Sequence, residues 1–279
     1  MKVVKETVPQ PKEKKKLSKS SVLLIVLIAV LACAFIFCGY KVISILAEYR
    51  AAEKMYDGLS DKYVSAPKPV ESEKPQENEE EEEEEWRDPE VSPIDIDFDA
   101  LLADCEDIVG WLYSPDTVIN YPVVQAEDND KYLHHFIDGT YNSSGTLFFD
   151  HICEPDLTST NTVLYGHHMN DGTMLASICD YGRDGYYDAH PVMYFNSPNG
   201  NYRIEVFSGY ITDPGAVSYT VEFGEDYTMQ NFIEEVKNLS DFDSGVPVTT
   251  EDKIITLSTC TYEYSNARYV VHGKLVPIH

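Results

Sequence analysis

Cysteine is scarce in this 279-residue chain, and none of it is spaced for a structural role. Cys33 and Cys38 lie in an apolar run, while Cys105, Cys153, Cys179 and Cys260 are scattered. No CxxC pair is present, which removes the common zinc and dithiol redox motifs, and no disulfide framework is legible. A Cys153–Cys179 bridge stays open in an oxidising compartment. Basic residues are also few, 21 Lys and Arg against 48 Asp and Glu, for a net charge of -27. No basic surface of the kind that binds nucleic acid is expected. There is no internal repeat, which removes solenoids and propellers. Residues 22–40 contain no charged side chain at all.

The chain is a splice of different compositions, so its bulk numbers mislead. Residues 1–20 carry seven lysines against Glu6 and Glu13 and nothing that could form a core, and they read as a basic cytoplasmic tail. Residues 21–46 are almost wholly apolar. A helix rises about 1.5 Å per residue, so roughly 20 apolar residues cross a ~30 Å hydrocarbon layer, and this run is long enough. A cleaved secretory signal would have a shorter apolar region, about 7–15 residues, ending in small residues, whereas Lys41-Val42-Ile43 follows here. The preceding lysines place the amino terminus inside and everything after the span outside. Residues 47–95 are rich in Lys, Pro, Ser and Glu, with an unbroken acidic run at 79–85, and read as an extended extracytoplasmic linker. Much of the net charge resides there. Residues 96–279 have globular composition and enough length for one core.

Within that last segment, Phe98, Leu101, Leu102, Cys105, Ile108 and Val109 recur at helical spacing, with Asp97 and Asp99 near the start. Most other apolar runs are short and rich in Val, Ile, Tyr and Phe, as strands are. They fall at 109–113, 118–124, 146–149, 162–165, 192–195, 202–211, 253–259 and 268–276. Met229, Phe232, Ile233, Val236 and Leu239 form one face of a helix set between two of these strands. The expected fold class is mainly β, a barrel or sandwich of short strands.

Chemistry concentrates in two places. The run Ile254-Ile255-Thr256-Leu257-Ser258-Thr259-Cys260 is a β-branched strand ending in a thiol, and a second strand opens at Arg268. As a hairpin, the two would bring Cys260 and Arg268 to the same end of one sheet, with Thr256, Ser258 and Cys260 sharing a face. The thiolate is the nucleophilic form of cysteine, and a guanidinium could favour it or stabilise an oxyanion. Acyl transfer also needs a proton donor for the leaving amine. Val163-Leu164-Tyr165-Gly166-His167-His168-Met169 supplies histidines at a strand mouth. Adjacent histidines in a strand face opposite ways, so a shared metal ion is not expected. Each residue also has a plain reading: Cys260 as a small buried hydrophobe, Arg268 as an edge charge, and His134 and His135 as structural.

Thr256-Leu257-Ser258-Thr259-Cys260, with Arg268 eight residues on, resembles the TLxTC…R signature of sortases. Leu164-Tyr165-Gly166-His167-His168-Met169 followed by Asp171-Gly172-Thr173-Met174 resembles the histidine motif of class B sortases. Val109-Gly110-Trp111-Leu112-Tyr113, Asn120-Tyr121-Pro122-Val123-Val124-Gln125 and Asp128-Asn129-Asp130-Lys131-Tyr132-Leu133 are similar to that class too. The resemblance spans about residues 98–279. It implies a closed β-barrel of about eight strands, with amino-terminal helices and one helix inserted before the penultimate strand. It implies Cys260 as nucleophile, His167 as acid/base and Arg268 as the oxyanion and positioning partner, with His168 outside the chemistry. Ser258, Thr259 and Tyr262 are implied at the substrate groove. Thr261 departs from the acidic residue expected after the cysteine in some class B members, which bears on motif preference.

The activity so implied is transpeptidation on a Gram-positive-type bacterial surface, by a single-pass membrane protein. Secreted proteins bearing a sorting motif, often Asn-Pro-x-Thr in this class, would be the donors. An amine of a peptidoglycan precursor or of a pilin would be the acceptor. Neither metal nor organic cofactor is implied. Two alternatives remain: a hydrolytic cysteine protease sharing the same nucleophile, and a non-catalytic binding module on a stalk.

Overall fold

A computed structural model describes residues 18–67 and 91–278. The basic segment 1–17 and the acidic run 79–85 lie outside the described residues. The chain divides into two compact units, Met1–Ala47 and Glu48–His279.

Helix α1 (Lys19–Tyr63) begins in the first unit, where Leu23, Phe35 and Ile36 are exposed. This stretch is long and apolar enough to cross a membrane by length and composition. In the second unit the same helix behaves differently. Ala52, Tyr56, Leu59 and Tyr63 are buried, and their spacing of four, three and four residues forms one helical stripe. Tyr56 packs edge-on against Tyr121 at 4.9 Å and Phe136 at 5.6 Å. The expectation of a linker over residues 47–95 is therefore corrected for 48–63. Four apolar positions among many charged ones leave the composition polar, while the periodicity is that of a packed helix. Strand β1 (Val64–Ser65) follows and pairs with β2 (Asp95–Ile96).

Helix α2 (Phe98–Asp104) starts at Asp97, whose carboxylate accepts from the Ala100 amide at 3.0 Å. Then come β3 (Ile108–Tyr113), β4 (Asn120–Val124), β5 (Leu147–Phe149) and β6 (Asn161–Tyr165). A short helix α3 (Tyr186–Ala189), β7 (Val192–Ser197) and β8 (Gly200–Thr212) follow, then α4 (Met229–Leu239), β9 (Lys253–Cys260) and β10 (Arg268–Ile278). The eight strands from β3 to β10 close into a barrel in the order β10-β8-β7-β3-β4-β5-β6-β9, with β9 returning to β10. Only β4–β5 and β6–β9 are parallel pairs among them. The mainly β expectation holds as a barrel, with α4 inserted before the penultimate strand.

The last two strands are buried on both faces, which explains their nearly continuous apolar sequence. Ile255, Leu257, Tyr269 and Val271 join the main core with Trp111, Phe149 and Phe195. The alternate positions Ile254 and Val270 join Phe207, Phe232, Ile233 and Val236 beneath α4. A capping box at Thr228 and Asn231 starts that helix, the Thr228 hydroxyl accepting from the Asn231 amide at 3.2 Å and the Asn231 side chain from the Thr228 amide at 3.1 Å.

His272 lies in this second layer, fully buried, with Nδ1 2.9 Å from the Thr256 hydroxyl and Nε2 3.3 Å from the Tyr210 hydroxyl. Burial pulls its pKa down from the usual 6.5 to about 3. An unfolded chain takes up this proton below about 6.5, whereas the folded chain refuses it until about 3. The stabilisation is therefore complete above 6.5 and is lost as pH falls through that window, at about 1.4 kcal/mol per pH unit. Denaturant midpoints measured at pH 7 and pH 4.5 should diverge more for the native chain than for His272→Gln. Equal divergence would mean that other groups carry the acid sensitivity.

Candidate active site

Strand ends bring the candidate residues together. In the β9–β10 hairpin Cys260 is the register partner of Arg268, Ser258 of Val270 and Thr256 of His272. Strand β6 lies on the other side of β9, parallel, with Tyr165 opposite Ser258. The chain leaves β6 through Gly166, whose amide donates to the Ser258 carbonyl at 3.2 Å and whose carbonyl accepts from the Thr259 hydroxyl at 2.8 Å. A Cβ there would press into the side chains of Leu147 and Leu175, so a larger residue would require those leucines to shift. His167 is thereby delivered beside the end of β9.

Cys260, His167 and Arg268 line one cavity of about 350 Å³, together with Tyr165, Ser258, Thr259, Tyr219 and Leu133. Cys260 is partly exposed, as a nucleophile must be to meet a substrate. His167 is mostly buried, and its Nε2 lies 2.8 Å from the Leu133 carbonyl. Its pKa is held below the usual histidine value, chiefly by burial and secondarily by the neighbouring His134, against the raising effect of the Leu133 hydrogen bond. The Arg268 guanidinium is tethered within its own loop. Nη1 donates to the Asn266 carbonyl and side-chain oxygen, at 3.1 and 3.2 Å, and to the Ala267 carbonyl at 3.2 Å. One wall is aromatic. Tyr219 stacks on Tyr165 at 6.1 Å and shares a 2.9 Å hydrogen bond with the Ser258 hydroxyl, while the Tyr165 hydroxyl donates to Asp150 at 2.9 Å.

His168 points the other way, toward the neighbouring cleft rather than the 350 Å³ cavity. Its Nδ1 lies 2.9 Å from the Cys260 carbonyl and 3.4 Å from the Cys179 sulfur. It thus ties the loop after β6 to the end of β9. Tyr262, grouped by resemblance with Ser258 and Thr259, is not in the wall of the 350 Å³ cavity. Strand β9 ends at Cys260, and the turn carries Tyr262 out to 69% exposure, edge-on to His168 at 5.2 Å. There it borders a neighbouring cleft of about 930 Å³.

Cys153 and Cys179 are both free thiols. Cys153 lies under β6, bonded to the Asn161 carbonyl and the Val163 amide, whereas Cys179 sits at His168. Burial pushes Cys153 up to about 11 and Cys179 up to about 12. Neither lines the 350 Å³ cavity, as Cys260 does. Among the described residues, no group of three or more His, Cys, Asp or Glu side chains is gathered to hold a metal ion.

Sequence reading alone did not place Tyr219 or the Leu133 carbonyl at this cavity, and it read His134 as structural. Tyr219 follows a loop with no recognisable motif. The ring of His134 stacks on that of His167 with centroids 5.4 Å apart and planes 14° from parallel. Nothing local in the sequence links two histidines on different loops.

Known proteins resemble this chain in sequence and in fold. A family model described as the sortase domain matches residues 112–276. Sortase B of Listeria monocytogenes is 39% identical over 173 residues, which is 61% of this chain and 70% of that protein. The structure of sortase B from B. anthracis in complex with AAEK1 superposes with a TM-score of 0.67 at 31% identity, covering 84% of this chain and 100% of that one. A Staphylococcus aureus sortase B–substrate complex matches with a TM-score of 0.62 at 35% identity, over 65% of this chain and 85% of that one.

Proposed function

This chain belongs to the sortase family of cysteine transpeptidases, and from that premise we propose that Cys260 is its nucleophile, His167 its acid/base and Arg268 its oxyanion partner. The donor substrate is a secreted protein with a carboxy-terminal sorting motif of the Asn-Pro-x-Thr type. The observation that carries the reading is the convergence of these three side chains, from three strand ends, on one cavity of about 350 Å³.

The Cys260 thiolate attacks the threonine carbonyl carbon, and the C=O electrons move onto oxygen beside Arg268. As the tetrahedral centre collapses, the C–N bond breaks and the leaving amine takes a proton from His167. A thioester remains on Cys260. An acceptor amine of a peptidoglycan precursor or of another surface protein then attacks that thioester, gives its proton to His167 and releases the thiolate. Since His167 holds its proton less tightly than a free histidine, the reactive pair of thiolate and imidazolium is a minority population at neutral pH. Ser258, Thr259 and Tyr219 form the wall against which the motif is laid. The apolar stretch of α1 is a single-pass membrane anchor, with the amino terminus cytoplasmic and the catalytic unit on the outer surface of a Gram-positive-type cell. The basic side before the span supports that orientation.

The test uses the full chain in detergent micelles with a panel of Asn-Pro-x-Thr and Leu-Pro-x-Thr-Gly peptides, with and without an amine acceptor. Mass spectrometry should find a thioacyl adduct on Cys260 and an amine-dependent product. Cleavage that uses water alone, whatever amine is supplied, would point to a hydrolytic protease. No adduct from any peptide, with a Cys260 inert to thiol reagents, would leave the binding-module reading.

A further inference from the structure

His167 is held by a loop that contributes no reacting group. The Leu133 carbonyl lies 2.8 Å from Nε2, and the His134 ring lies flat against the His167 ring. A carbonyl oxygen only accepts, so Nε2 carries the hydrogen, and Nδ1 is the nitrogen left to take or give a proton. His134 is itself clasped. Its ring leans on Tyr141 at 6.0 Å, and its carbonyl accepts from the Asn142 amide at 2.9 Å. Its Nδ1 is buried without a hydrogen-bond partner. A buried unpaired nitrogen costs stability, and the stack on His167 is the contact that accounts for its place.

The loop is pinned on its far side. Gly145 has φ +57°, and a Cβ there would strike the carbonyl oxygens of Tyr132 and Leu133, the latter being the one that engages His167. The Tyr56 hydroxyl of α1 donates to the Gly145 carbonyl, the Ser143 hydroxyl donates to the Glu48 carboxylate at 2.8 Å, and the Asn142 side-chain amide donates to the Glu48 carbonyl at 3.1 Å.

We propose that His134 is a positioning residue for His167: together with the Leu133 carbonyl it locks the imidazole in one orientation and one tautomer, keeping Nδ1 as the proton-exchanging nitrogen. The proposal rests on His167 being the acid/base. The other titratable groups lining the cavity are Tyr165 on β6, Cys260 on β9, Arg268 on β10 and Tyr219 from the loop after β8. All four are unchanged in the variants that test it.

Those variants, in the full chain in detergent micelles, are His134→Ala, His134→Phe and, as reference, His167→Ala. Transpeptidation of the motif peptide panel is read against pH. Losing the stack in His134→Ala should lower kcat about 10- to 100-fold with KM within about twofold, as misplacement of a reacting group does. His134→Phe keeps a flat ring and should recover most of kcat. It also removes a neighbour that opposes protonation of His167, so the acid limb of its profile, which His167 sets when the thiolate–imidazolium pair is the minority form, should move to higher pH. Native kcat and an unmoved profile in His134→Ala, with His167→Ala inactive, would overturn the positioning role and leave the site assignment standing. Equal losses in the Ala and Phe variants, with no shift in profile, would make residue 134 merely structural and also overturn it. An active His167→Ala would instead overturn the assignment on which the proposal rests.

Discussion

Cys260→Ala is expected to abolish the thioacyl adduct and to lower transpeptidation by on the order of 10⁴-fold or more, as removal of a covalent nucleophile does. The loss should be chemical rather than structural. Cys260 is partly exposed at the last position of β9, so truncation to Ala opens no sealed core cavity. The backbone contacts of that position, the His168 imidazole on its carbonyl and the register with Arg268, do not use the sulfur. The thermal midpoint should therefore stay close to that of the native chain. Cys179→Ser is the informative companion. Cys179 is the thiol nearest the hairpin end, within 3.9 Å of the Cys260 carbonyl, yet burial pushes it up to about 12. Its replacement should leave adduct formation on Cys260 intact. Adduct formation that survives Cys260→Ala and disappears in Cys179→Ser would reverse the assignment. Mass mapping of the adduct on each variant reads the result directly.

Arg268→Lys should lower kcat by about 10²- to 10³-fold, the range seen when one donor to a developing oxyanion is lost. Charge is conserved in this change, so geometry is what it tests. The guanidinium is oriented by three oxygen acceptors of its own loop, all engaging Nη1. Two of them belong to Asn266, which sits in the left-handed region at φ +67°. A lysine ammonium has no second arm to present to substrate once it is tethered, and it is a point charge on a flexible stem. Single-turnover acylation by a motif peptide isolates the step. A slowed acylation with unchanged peptide affinity is the expected pattern. Acylation of Arg268→Lys at the native rate would show that a positive charge suffices and would remove the oriented-donor role. A rise in KM alone would make Arg268 a binding residue instead.

Much of this site is local chemistry written at short range. Cys260 and Arg268 are joined by a loop of seven residues between two β-branched strands, so antiparallel pairing alone makes them neighbours, and the observed register pairs them directly. The same observed register pairs Thr256 with His272, and the two hydrogen bond. Helix α4 was legible for the same reason: its apolar positions follow a 3.6-residue period, and the observed bounds are Met229–Leu239. The apolar run near the amino terminus needs no partner to be recognised as long enough to cross a membrane.

Long-range placement was not legible in this way. His167 reaches the cavity because β6 pairs in parallel with β9, and contacts such as His168 with Cys260 join residues 92 positions apart. Resemblance to a family suggested that meeting, but no periodicity did. The packed end of α1 was hidden by composition, since Ala52, Tyr56, Leu59 and Tyr63 are four residues in a charged stretch. Their stripe has meaning only once a barrel offers Tyr121 and Phe136 to pack against. Tyr262 lies outside the 350 Å³ cavity because a turn, rather than strand alternation, decides where it points. By itself, the sequence determined most strands of the barrel, which helix is amphipathic and that a cysteine and an arginine close and open the two arms of a hairpin, because each of these follows from neighbours along the chain. Only the tertiary structure decided what lies against His167, because a barrel brings loops together by closing, and closure leaves no trace in local pattern.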